Sequence, residues 1–184
     1  MNNLLYLIST FIIVIFFLSN CKNNLQERND LSTDTLLIDL AKKDDFKKMK
    51  EFKNYRDIEV LTITSSHIKG FTAYPPISSL EQSVPFGGNA VLLENLPEGI
   101  SQLRRLKNLS LYGLGLKSLP KDFGKLKELE VLDLSFNNLN IIKELDKLDQ
   151  LAKLRRLSIV GNIGDLATIN QWQESKPDLA IFYQ

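Results

Sequence analysis

Residues 129–139 read LEVLDLSFNNL. Leucines stand at 129, 132, 134 and 139, and Asp133, Ser135, Asn137 and Asn138 stand between them. Alternation of the L-x-L kind makes a short strand with one buried face, because successive side chains point to opposite sides. The stretch also recurs. LKNLSLYGLGL at 106–116 and LRRLSIVGNIG at 154–164 follow the same L-x-x-L-x-L order, with starts separated by 23 and 25 residues. Upstream, LPEGISQLRRL at 96–106 reappears as LPKDFGKLKEL at 119–129, and IEVLTITSSHI at 58–68 fits the strand template. The second half of each unit has apolar spacings of three and four, which suit a short helical segment. Pro97 and Pro120 suit the start of that segment, where a missing N–H costs least. One such unit cannot bury its leucines alone, whereas stacked units share a continuous core behind a parallel sheet.

These motifs resemble the leucine-rich repeat family, in the 23-residue bacterial form that carries LP-x-x-[IF]-x-x-L. The resemblance runs over 58–164, with units expected near 58, 83, 106, 129 and 154, about five in all. It implies an α/β solenoid with a parallel sheet on its concave face. It also implies that Asn137 and Asn162 turn their amides inward to satisfy backbone groups; Ser66 and Leu114 stand at the equivalent places. The unit near 83 is irregular: FTAYPPISSLEQSVPFGGN at 71–89 fits no template and reads as an insertion, with a strand expected through 90–94. Solenoid ends need covering. Residues 35–57, with Leu36, Leu37, Leu40, Phe46 and Met49 at helical spacing, are expected to form an N-terminal capping helix region. Residues 165–184 read as a C-terminal cap: a helix, a break at Pro177 and a last strand, with Trp172 in its core.

The first twenty residues are a different material. LLYLISTFIIVIFFL at 4–18 is apolar except for Ser9 and Thr10, and 1–20 hold no charged side chain. The run is shorter than the ~20 apolar residues that span a bilayer and fits a secretory signal peptide. The chain's only cysteine, Cys21, follows directly. LSNC at 18–21 resembles the lipobox of bacterial lipoproteins, departing from it at Asn20, where a smaller residue is usual. The resemblance implies cleavage before Cys21 and a lipid on its thiol. Lys22 stands where an aspartate favours inner-membrane retention, so the outer membrane or cell surface is the expected address. Polar residues 21–34 then read as a flexible tether.

Little in the chain suggests chemistry. The 184 residues carry 23 basic and 22 acidic side chains, a net charge of +1 that gives no electrostatic footprint for nucleic acid. The lysines at 42–53 are interleaved with carboxylates, the pattern of a solvated face. His67 is the only histidine, too little for a metal site. The motifs of phosphate loops, dinucleotide folds and GxSxG hydrolases do not occur. We therefore expect no catalytic residue, no cofactor, no metal and no small-molecule substrate. Side chains between the buried leucines should face outward, and they define a candidate protein-binding face: Thr62, Thr64, Glu94, Ser110, Tyr112, Asp133, Ser135, Phe136 and Ser158. The function this implies is non-catalytic protein–protein interaction at the bacterial envelope. The alternative is a membrane-anchored regulatory or scaffolding subunit of an envelope enzyme or assembly complex.

Overall fold

A computed structural model describes residues 34–65 and 92–183. The lipobox at Cys21, the tether up to Thr33, Ser66, His67 and the 71–89 insertion lie outside the described residues. Among the described residues, six strands form one sheet in chain order, every neighbouring pair parallel. They are β1 (Thr35–Asp39), β2 (Val60–Thr64), β3 (Asn108–Ser110), β4 (Val131–Asp133), β5 (Arg156–Ser158) and β6 (Ala180–Phe182). Between strands the chain returns through short helical segments. These are α1 (Lys43–Met49), α2 (Ile141–Asp149), α3 (Leu166–Glu174) and 3-10 turns at Phe52–Asn54, Glu98–Gln102 and Phe123–Lys125.

The leucine pattern dictates this stack. In register across the sheet, Leu36, Leu61, Leu109, Leu132, Leu157 and Ile181 form one inward row, all of them buried. Behind them lie the apolar residues of the return segments. Ile100, Leu103 and Leu106 in one coil match Phe123, Leu126 and Leu129 in the next, and all six are fully buried. Removing a leucine from such a core costs about 2–5 kcal/mol, because neighbouring coils cannot collapse into the gap.

The asparagines act as the repeat pattern implies. Asn137 Oδ1 accepts the N–H of Leu114 at 3.1 Å and of Leu116 at 3.0 Å. Its amide donates to the carbonyls of Leu111 and Leu134, both at 2.8 Å, and of Ser135 at 3.3 Å. Asn162 repeats the arrangement one coil on, accepting from Leu139 N–H at 3.1 Å and donating to Leu134 and Ile159 carbonyls. Leu114, at the equivalent place in the preceding coil, is simply buried.

Two expectations are corrected. The capping helix over 35–57 is not continuous: Thr35–Asp39 is a strand paired with β2, and α1 spans only Lys43–Met49. Leu36 and Ile38 point inward while Leu37 is 45% exposed, an alternation of period two. Pairing with β2 satisfies this backbone and decides between two periods that a short apolar run fits equally well. Second, of the strand expected through 90–94 the described residues 92–94 form no part of the sheet, and β2 pairs directly with β3, Val60 opposite Asn108. Residues 92–95 instead follow the side of the next coil: Leu93 N–H donates to the Leu114 carbonyl at 2.7 Å, and Asn95 bridges Ser118. The unit expected near 83 lies outside the described residues. Aligned strand positions lie 25, 48, 23, 25 and 24 residues apart, so the extra length of sequence falls between β2 and β3, and the first described coil begins at β1.

In the fourth coil α2 replaces the 3-10 turn. Asn140 caps it, accepting from Lys143 N–H. Glu144 is buried, and its carboxylate accepts Leu119 N–H at 3.2 Å and Lys147 Nζ at 2.6 Å. Lys147 Nζ also donates to the Leu119 carbonyl at 2.8 Å. The pair thus ties the helix to a peptide group that the neighbouring coil leaves open. At the C-terminal end, Asp165 caps α3 through Thr168 N–H at 2.8 Å. Trp172 packs partly buried against the core, and its ring N–H donates to Asp149 at 3.3 Å.

Candidate functional site

The solvent side of the sheet carries ordered rows of side chains, one strand spacing apart. The central row by register is Leu37, Thr62, Ser110, Asp133, Ser158 and Phe182. The fold thus brings together four of the residues picked from the sequence: Thr62, Ser110, Asp133 and Ser158. Leu37 and Phe182 extend the row at both ends, and the sequence reading missed them. The alternation in TLLID and AIF was the signal available for both. Thr64 lies in the next row, opposite Asp39.

Two of the picked residues do not face solvent from the sheet. Ser135 is buried, 4% exposed, with its hydroxyl 2.7 Å from that of Ser158. The chain turns immediately after β4, Ser135 N–H is held by Asp133 Oδ1 at 2.9 Å, and the side chain is covered beside Asp133 and Ser158. Glu94 lies off the sheet for the reason given above, and it pairs with Lys117 at 2.6 Å in the exposed flank of the coils.

Tyr112 and Phe136 do meet. Their ring centroids are 5.2 Å apart with planes inclined at 54°, a tilted aromatic pair at the exit of β3 and β4. Phe136 occupies an unusual backbone place, with φ of 57°. The equivalent positions one coil back and one coil on are Gly113 at 67° and Gly161 at 70°. A side chain in the left-handed region is held against a steric penalty that glycine avoids. A Cβ on Gly161 would stand 2.9 Å from Phe136 Cδ1, so the ring rests on that glycine.

The electrostatics of the face centre on Asp133. Burial pushes its carboxyl above the ordinary aspartate value, and the hydrogen bonds from Ser135 offset part of the rise. Among the described residues no cation contributes to that offset. Tyr112 is pushed up to about 12, first by burial and second by the charge of Asp133. At the entrance side of the strands the charges are matched instead. Glu59, before β2, accepts from Lys107, before β3, at 2.8 Å and from Arg105 at 3.3 Å. That carboxyl is drawn below its usual range by the Lys107 hydrogen bond.

A shallow depression on the opposite side of the coils is lined by Arg56, Ser101, Arg104, Asp122 and Lys125. Within it the Ser101 hydroxyl donates to Asp122, and Lys125 stands 3.6 Å from the same carboxylate. Among the described residues no group of three or more His, Cys, Asp or Glu could hold a metal ion, and no helix is long and apolar enough to cross a membrane.

No protein-family model matches the chain, and no curated protein matches it. Among solved structures the chain is similar to a leucine-rich repeat protein of Leptospira interrogans, with 26% identity and a TM-score of 0.46. The likeness covers 72% of this chain and 33% of that one, so the chain spans about a third of the other's length.

Proposed function

We propose that this chain is a non-catalytic interaction module that binds a protein partner across the open face of its leucine-rich sheet. The observation that carries the reading is the central row from Leu37 to Phe182 together with the Tyr112–Phe136 pair beside it. Six parallel strands hold these side chains at fixed spacing on a rigid support, so a partner meets a preorganised surface with little ordering to do. Aromatic residues beside small polar ones are the composition of a binding centre, where a few side chains carry most of the energy. In this reading the chain is held at the bacterial envelope by a lipid on Cys21, with the outer membrane or cell surface as its address; the apolar run at 4–18 and the lone cysteine after it support that anchor.

Site-specific photo-cross-linking in cells tests both halves. A photoreactive residue at Thr62 or Ser158 is expected to trap a defined protein partner, whereas one at exposed Lys121 is not. Adducts from Lys121 with none from the sheet positions would move the site to the other face. Mass spectrometry of the same purified chain is expected to show a lipid-modified Cys21 at its start, and an intact Met1 would remove the anchor from the reading.

A further inference from the structure

We propose that Asp133, with the Tyr112 and Phe136 rings beside it, is the seat for one cationic side chain, arginine or lysine, of the protein partner. The inference rests on the reading above and names the chemistry that the partner must present.

Charge complementarity carries it. Asp133 sits in the middle of the central row, half-buried, with Ser110 and Ser158 as its strand neighbours. One oxygen is engaged by Ser135 N–H. Of the described strand residues only Arg156 is basic, and it aligns with Val131 rather than with Asp133. The carboxylate is therefore a charge on the sheet without a countercharge among the described residues. An apolar partner laid over it would bury an unpaired ion, which is strongly unfavourable. An anionic partner would be repelled. The hydrogen bonds from Ser135 leave the carboxylate without a cation, and an incoming one meets it in a partly desolvated place, where the attraction is several times its strength in water.

The aromatic pair adds a second attraction of the same sign. Ring faces are negative, and a guanidinium or ammonium within about 6 Å of a ring centroid is drawn to them. Tyr112 already lies in the field of Asp133, so ring and carboxylate act on one region of space. The tilt of the rings leaves Phe136 as a wall on the exit side. The flanking coils carry Gly113 and Gly161 at the place of Phe136, so of these three coils only this one raises such a wall.

The test is a titration of the isotope-labelled full chain, in non-ionic detergent, followed by amide NMR. The probes are N-acetyl-arginine amide and its uncharged isostere N-acetyl-citrulline amide. Saturable shifts at Tyr112, Asp133 and Phe136 are expected with the arginine probe, at an apparent affinity at least about tenfold above that of the citrulline probe. Asp133→Asn keeps an oxygen for Ser135 N–H and should fold, yet it is expected to abolish the preference. Phe136→Gly restores the residue type of the neighbouring coils and is expected to weaken arginine binding while leaving the backbone in place. Equal response to the two probes, a preference that survives in Asp133→Asn, or no saturable shift at these amides would each overturn the proposal. Cross-links from Thr62 and Ser158 to a protein partner would still form in that event, so the two readings fail separately.

Discussion

Asn137 and Asp133 stand four residues apart, and their side chains meet opposite conditions. The Asn137 amide is buried and makes five hydrogen bonds to backbone groups of two coils. Asn137→Ala would leave those groups without partners inside the core, at about 1–3 kcal/mol for each group that finds no water. Chemical denaturation is expected to show a loss of at least about 2 kcal/mol, with the slope unchanged. Asp133 instead carries a burial penalty on its charged form. A carboxyl whose folded pKa is raised holds its proton longer in the folded chain than in the unfolded one. Stability is therefore fully present below the unfolded value of 3.8 and is lost as pH rises through the folded value. Asp133→Asn removes that loss. Thermal melts of the two proteins are expected to coincide in acid and to separate as pH rises, the asparagine variant melting higher; a wild type that melts higher at neutral pH would contradict the assignment. A higher-melting asparagine variant, in the middle of the proposed recognition row, would fit the usual trade between stability and function.

The first strand shows how an element can be misread. Leu36, Leu37, Leu40, Phe46 and Met49 satisfy a helical spacing, and lysines follow them as they do on many helices. Local preference has no means of counting the partners that a strand will find. Once β2 is present, residues 35–39 gain a ladder of hydrogen bonds and a place in the core for Leu36 and Ile38, and only 43–49 remain helical. A pair of substitutions separates the two arrangements. Ile38→Ala is expected to cost about 2–4 kcal/mol, because the side chain is fully buried. Leu37→Ser is expected to change stability by less than about 0.5 kcal/mol, because Leu37 faces solvent. Equilibrium denaturation of each variant reads the difference, and a large loss for Leu37→Ser would restore the helix. The return segments follow the same lesson in reverse. LPEGISQL and LPKDFGKL are short and strongly patterned, and their apolar positions are core as the spacing requires.

For the whole molecule, the repeat was legible because each coil states the same pattern and the errors of one unit are checked by the next. The starts at 106, 129 and 154 lead into β3, β4 and β5, and the inward asparagines at 137 and 162 do the work that their places imply. Where the pattern is stated once, tertiary contacts decided. Nothing local in residues 92–95 tells a sheet strand from a side run, and the direct pairing of β2 with β3 made them the latter. Nothing local in LSF tells that Ser135 is buried while Phe136 stays partly exposed beside Tyr112, since that depends on a turn whose geometry the adjacent coil holds. Buried apolar periodicity is a property of the chain, so the sequence by itself determined the stacked parallel strands and their core. Which outward side chains share a row, which charge among them is left without a countercharge, and where the solenoid begins are properties of register between distant segments, and only the tertiary structure decided them.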